Sequence, residues 1–330
     1  MRRRSLFALA IGVATVALPA AAREASTPRQ ARLDARAINA AAWTGRGTRA
    51  ADPALIRAEV MLDRLRFSPG QIDGRGGDNV DRAVAAYQKA QGLAETGKLD
   101  RATFDRLTTG GPDAVVSYRI GKDDVAGPFT ASIPSGVENQ AKLKRLGYRN
   151  AAEALAERFH MDERLLRTLN PGARFEAGED ILVANTARGP EDQKAERVEV
   201  DKGKRRVRVL GGNGILLATF PASIGSEEKP APSGSFAVKG VARNPTWTYN
   251  PKFAFREVKA KRVLKLPPGP NNPVGAVWID LTAETYGIHG TPEPRMIGRS
   301  FSHGCVRLTN WDALDLASLV KPGTPVDFIE

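Results

Sequence analysis

Three modules in series are what this 330-residue chain predicts: a small three-helix bundle, a compact α+β unit, and a mainly-β, sandwich-like domain. Three observations lead there. Apolar residues recur at helical spacing between residues 53 and 108. A strand–helix–helix–strand pattern follows over 115–186. Beyond 195, short Val-rich runs alternate with Gly and Pro turns, and one helix comes late. Length alone argues for division, because a single ordinary core does not extend over so many residues.

The first segment precedes these modules. Met1-Arg2-Arg3-Arg4 is basic, Leu6 to Leu18 is an apolar run, and Pro19-Ala20-Ala21-Ala22 supplies small residues for cleavage. The run is shorter than the roughly 20 residues of a membrane span, so residues 1–22 read as a cleaved signal peptide. Arg3-Arg4-Ser5-Leu6-Phe7 loosely fits a twin-arginine signal, so export by that route or by general secretion is expected. No later segment has spanning length, and the mature chain is expected to lack a stable membrane span. Residues 23–52, rich in Ala and Arg, read as a flexible tether with a helical turn near residues 32–42.

In the bundle (53–110), Leu55, Ala58, Leu62 and Leu65 fall on one helical face. Val80, Val84 and Tyr87 form a second, and Phe104 with Leu107 a third behind an Asp100 cap. Residues 108–112 read as a hinge. In the α+β unit (115–186), Val115–Ile120 is a strand, two helices carry Leu155, Phe159, Leu165, Leu166 and Leu169, and Ile181–Val183 closes it. His160 reads as a partly buried or capping residue, not a ligand. Past the 187–192 linker, strands are expected at 197–200, 206–210, 215–220, 235–241, 277–281 and 325–329, and a helix at 311–320. Residues 242–273, with many Pro and Asn, read as a long functional loop.

Charge and chemistry narrow the function. With 49 Lys and Arg against 37 Asp and Glu, the chain carries a formal +12. An exported basic protein suits an anionic extracytoplasmic polymer, and export argues against nucleic acid. One cysteine excludes an intrachain disulfide. That thiol, Cys305, stands in Ser302-His303-Gly304-Cys305-Val306-Arg307-Leu308, and upstream is Tyr286-Gly287-Ile288-His289-Gly290-Thr291. A thiol nucleophile needs a base in reach, and two histidines supply it. If 305–308 is extended, Cys305 and Arg307 share one face while Val306 and Leu308 face the core, and Ile288 faces the core when His289 faces the cleft. Arg307 then favours thiolate and can grip a carboxylate, and Gly304 lets backbone N–H groups approach an oxyanion. Ser302 and Thr291 either tune the histidines or complete turns. His303 is the base or a residue that shapes the loop. Zinc on His289, His303 and Cys305 is the competing reading, but no HExxH, CxxC or carboxylate ligand accompanies them.

His289-Gly290-Thr291 with Ser302-His303-Gly304-Cys305-Val306-Arg307 resembles the signature of the L,D-transpeptidase (YkuD-type) catalytic domain. Pro232-Ser233-Gly234-Ser235-Phe236 and Pro268–Gly275 are similar to further blocks of that family, over 195–330. Ile72-Asp73-Gly74, Ala83-Val84, Tyr87-Gln88, Gly92-Leu93, Thr96-Gly97 and Leu107 resemble a peptidoglycan-binding three-helix module, with a departure at residues 76–79. Leu169-Asn170-Pro171, Ala177-Gly178 and Ile181 resemble a LysM glycan-binding module with an insertion at roughly 130–150. The resemblance implies a periplasmic enzyme with Cys305 as nucleophile and His289 as base, its ring oriented by the Gly290 carbonyl. His303 and Gly304 line the oxyanion region with Ser302 and Thr291 nearby, and Arg307 contacts substrate. It implies peptidoglycan, both stem peptides and glycan, as partner, no metal or cofactor, and acylation by carbapenems. The acceptor is diaminopimelate, a lipoprotein lysine or water, the last making an L,D-carboxypeptidase. A non-catalytic wall-binding scaffold is the reading from another class.

Overall fold

The computed structural model describes residues 33–45, 50–189, 193–226, 229–253, 260–300 and 304–330. The signal-peptide reading of 1–22, the tether up to residue 32, Ser302 and His303 lie outside the described residues. Four helices open the fold: α1 (Ala35–Asn39), α2 (Pro53–Arg64), α3 (Asp78–Ala90) and α4 (Arg101–Thr108). Asp52 accepts the Ala54 and Leu55 N–H groups ahead of Pro53, and Asp100 accepts that of Thr103, so two starts are fixed by short acidic caps. The α+β unit is β1 (Val115–Arg119), α5 (Val137–Gln140), α6 (Ala151–Arg158), α7 (Glu163–Leu169) and β2 (Asp180–Ala184), with β1 and β2 antiparallel.

Within 33–45 the tether reading is corrected. Ile38 of α1 is fully buried and the Asn39 amide bonds both the N–H and the carbonyl of Val115, so this stretch is built into the fold. The hinge at 108–112 does not separate independent modules either. Side chains of α1–α4, α6, α7, β1 and β2 enter one continuous apolar core, and the backbone of Ile72 bonds to His160 and Asp162. Physical size explains the fusion: two units of this length bury too little surface alone, and shared burial removes both open faces.

The third domain follows the expected pattern, with strands β3 (Arg197–Asp201), β4 (Arg206–Leu210), β5 (Leu216–Pro221), β6 (Ser223–Ile224) and β7 (Gly234–Arg243). Next come β8 (Trp247–Tyr249), β9 (Leu264–Leu266), β10 (Val277–Leu281), β11 (Gly287–His289), β12 (Val306–Arg307), α8 (Asn310–Leu319) and β13 (Pro325–Ile329). Nine strands run in the order β5-β4-β3-β13-β7-β10-β11-β12-β6. The long β7 pairs β13 through residues 234–237 and β10 through 238–243, so it passes from one half-sheet to the other. Residues of both halves and of α8 form one core, which gives the sandwich-like arrangement.

The reading of 242–273 as loop is corrected in part. Trp247–Tyr249 and Leu264–Leu266 form a two-stranded antiparallel ribbon. The insertion of the α+β unit covers it: Leu146, Ile133, Val137 and Leu143 pack with Tyr249, Leu264 and Leu266. Strands of three residues among Pro and Asn carry too little periodicity to be read locally. No helix among the described residues is long and apolar enough to cross a membrane.

The bundle and the β domain also interlock. The backbone of Arg66 and Ser68 pairs with Thr219 of β5, and Ser68 Oγ donates to Asp312 of α8 at 3.0 Å. The departure at 76–79 is where the bundle grips the β domain: Asn79 Nδ2 donates to the Ile297 carbonyl at 2.9 Å. His160 is half-buried, with Nδ1 2.9 Å from Asp63 Oδ1 and its ring stacked on Trp311 at 5.3 Å, so it joins all three modules. Burial alone would raise the Asp63 carboxyl, but His160 and Arg188 outweigh it and hold it below the usual range.

Ile38→Ala is expected to lower stability by about 2–5 kcal/mol, the cost of a buried Ile truncated in a tight core. Urea unfolding of the full chain measures it, and an unchanged midpoint contradicts the packed role of residues 33–45.

Candidate active site

Strands β11 and β12 are parallel neighbours, with Ile288 opposite Val306 and His289 opposite Arg307. Side chains alternate along a strand, and partners in register share a face. Ile288 and Val306 are therefore core residues, 1% and 0% exposed. His289 and Arg307 lie on the other face, and Cys305 stands in the bend that leads into β12, one residue before the strand begins. Leu308 N–H donates to the His289 carbonyl at 2.9 Å, which locks the register at the site. Ile288, Val306 and Leu308 are buried as the expected alternation requires, but the strand covers only Val306–Arg307 and Cys305 lies in a bend outside it.

The His289 ring is tightly held. Nδ1 lies 2.7 Å from the Gly290 carbonyl oxygen. A carbonyl can only accept, so Nδ1 carries the proton and Nε2 keeps its lone pair, the form a base requires. The side chain is buried, and Trp278 of β10 stacks on it at 5.4 Å and 19°. Burial, then the Arg307 charge, push the imidazole down to about 3, against the opposing Gly290 hydrogen bond. At neutral pH His289 is uncharged.

Cys305 is half-buried, and its S–H donates to the Thr285 carbonyl at 3.9 Å. Arg307 acts in the expected direction, toward thiolate, but burial outweighs it. Burial pushes the thiol up, and the Gly287 N–H, Lys229 and Arg307 offset that only in part, so thiol and not thiolate is the resting form. Gly287 has no room for a side chain, because a Cβ would lie 2.4 Å from the Trp278 ring. Gly304 sits at φ +101°, and a Cβ there would meet Tyr286 at 3.1 Å and Lys229 at 3.3 Å. Glycine thus serves both the backbone conformation and the open approach beside the sulfur.

Thr291 takes the turn-forming role: it is buried, its N–H donates to Asn310, and its hydroxyl accepts the Glu293 N–H at 3.2 Å. Asn310, which sequence reasoning passed over, organises this turn. Its Oδ1 accepts from Ala276 N at 2.9 Å and Thr291 N at 3.1 Å, while Nδ2 donates to the Pro270 carbonyl at 3.1 Å and to Glu157 of α6. A Cβ on Gly275 or on Gly290 would lie 2.1 Å from Oδ1, so both positions require glycine. Trp278, Lys229 and Asn310 were missed. The available signal was the Thr309 cap and Asn310 at the start of the α8 helix. Among the described residues no group of three or more His, Cys, Asp or Glu is placed to hold a metal ion.

Residues 195–328 match the family described as L,D-transpeptidase catalytic domain, YkuD, and residues 52–107 match "Putative peptidoglycan binding domain". "Putative L,D-transpeptidase YkuD" of Bacillus licheniformis is 32% identical over 177 residues, covering 53% of this chain and 90% of that protein. "Probable L,D-transpeptidase YbiS" of Escherichia coli is 35% identical over 123 residues, covering 36% and 39%. Among solved structures, L,D-transpeptidase 3 from Mycobacterium tuberculosis is similar at 20% identity and a TM-score of 0.35, over 45% of this chain and 66% of that one.

Two outcomes are expected. Gly290→Ala forces Asn310 aside and destabilises by about 1–3 kcal/mol, read as a lowered thermal midpoint. Iodoacetamide alkylation of Cys305 climbs roughly tenfold per pH unit through the neutral range, as a raised thiol requires. A plateau reached below neutral pH, the mark of a preformed thiolate, contradicts the second.

Proposed function

The chain belongs to the L,D-transpeptidase family, and on that premise we propose that it is a cysteine-dependent acyltransferase acting on the stem peptides of peptidoglycan. The observation that carries the reading is the His289 ring, fixed by Gly290 in the tautomer that leaves Nε2 basic, on β11 beside the strand that Cys305 leads into.

In the first half-reaction the Cys305 S–H proton passes to His289 Nε2 as the sulfur attacks the carbonyl of the third stem residue. Neutral thiol and neutral imidazole suit this order, since the proton moves when the nucleophile is needed and no buried ion pair has to be maintained beforehand. The bond to D-alanine breaks, its nitrogen takes the proton from His289, and a thioester remains. In the second half an amine gives its proton to the same nitrogen while attacking the thioester, and sulfur leaves to recover the proton. The Gly304 backbone faces the developing oxyanion, and Arg307 binds a substrate carboxylate. His303 and Ser302 take places beside the oxyanion in this reading.

Diaminopimelate as acceptor gives a 3→3 cross-link, and a lipoprotein lysine gives an anchored protein. The 52–107 domain and the LysM-like βααβ unit hold the enzyme to the wall, which lies in the periplasm once residues 1–22 have directed export. The basic charge favours the same polymer.

Incubation with purified disaccharide-tetrapeptide tests the proposal. The wild type is expected to release D-alanine and form a dimer, whereas Cys305→Ala and His289→Ala lose at least about a hundredfold in rate. Tripeptide without dimer, under excess amine acceptor, would make it an L,D-carboxypeptidase. No release of D-alanine by the wild type would overturn the enzymatic reading.

A further inference from the structure

The α+β unit touches the β domain where the active-site turns are held. Glu153 and Glu157 are four residues apart on α6 and so share a face. Glu157 Oε1 accepts from Asn310 Nδ2, and Glu153 Oε1 accepts from Asn271 Nδ2 at 3.2 Å. The loop before α6 adds backbone bonds: Leu146 N–H donates to Pro268, and Asn271 N–H donates to Leu146. Asn271 Nδ2 also reaches the Gly147 carbonyl at 2.9 Å.

The Asn310 amide has four partners, and three of them, at Ala276, Thr291 and Pro270, are backbone groups of the β domain. Glu157 is the fourth and belongs to another module. It is a second acceptor for Nδ2 beside the Pro270 carbonyl, on the amide whose Oδ1 accepts from Thr291 N–H, one residue past the carbonyl that orients His289.

We infer that Glu157 is a positioning residue for the catalytic base: through Asn310 it holds the Gly290–Thr291 turn that fixes the His289 ring. The inference rests on the proposed transpeptidase reading. It makes docking of the α+β unit a condition of full activity, beyond any wall binding by that unit.

The protonation state fits a neutral hydrogen-bond partner. Burial, only partly offset by Asn310 and reinforced by Glu153, pushes the Glu157 carboxyl up to about 8. It is therefore an uncharged acid at neutral pH, and glutamine reproduces its shape and charge.

The test uses the full chain with Glu157→Ala and Glu157→Gln, and Arg119→Ala as a control. Arg119 pairs with Asp180 on the exposed edge of the same unit, away from the β domain. Glu157→Ala is expected to lower kcat about tenfold with KM within twofold, as misplacement of a reacting group does. Glu157→Gln restores kcat to within twofold of wild type, and the control leaves it unchanged. A second readout is independent of turnover: the His289 Nδ1–H resonance in histidine-labelled protein shifts or broadens in Glu157→Ala and not in Glu157→Gln. An unmoved resonance with wild-type kcat in Glu157→Ala overturns the inference, as does a Gln variant as impaired as Ala. A wild type that releases no D-alanine defeats the transpeptidase reading alone, and the resonance then decides the positioning role.

Discussion

The amide of Asn310 is the interaction on which the active site depends. It stands in the first turn of α8, behind the Thr309 cap, and it is 2% exposed. From there it holds the end of the Pro268–Gly275 loop and the turn after β11 at once. Each buried amide bond left unmade would cost about 1–3 kcal/mol, so the two backbone segments cannot move independently. The constraint explains the two glycines. Gly275 and Gly290 are small because the Asn310 oxygen occupies the space a methyl group would need.

Electrostatics at the site follow from burial more than from charge. Arg307 and Lys229 favour a thiolate, yet the surroundings of Cys305 oppose it more strongly, and the same burial keeps His289 neutral. A neutral pair stores no charge in a low-dielectric pocket, and the ion pair forms only as the proton transfers. At the module junction Asp63 pairs with Arg188 and bonds His160, whose ring stacks on Trp311. There the Arg188 charge offsets that of Asp63, and the planar stacking of His160 on Trp311 joins the modules.

What could be read from the sequence was local. Cys305, His289, Gly304 and Arg307 sit in two short segments, strand alternation assigns faces to His289 and Arg307, and the hydrogen bond from His289 to its neighbour's carbonyl spans one residue. The helices of the bundle and most strands of the β domain likewise show their periodicity within a dozen residues. Asn310 and Trp278 could not be recognised in that way. Each has an ordinary local explanation, a helix start and a strand position, and its contact with the site comes from sheet order and helix packing. Fusion of the first two modules was hidden for the same reason. Ile38 lies in a five-residue helix with no pattern of its own, and its partners are far along the chain. The ribbon at 247–266 was obscured by its Pro and Asn content, although its apolar residues are covered by the 130–150 insertion.

The account stands most directly on a covalent bond to Cys305. Rapid quenching of the full chain with disaccharide-tetrapeptide, followed by intact-mass measurement, reads it. A mass increase equal to the disaccharide-tripeptide acyl group, mapped to Cys305 and released by hydroxylamine as a thioester is, is the predicted result. Turnover with no adduct under any quench time, or an adduct retained in Cys305→Ala, would contradict it.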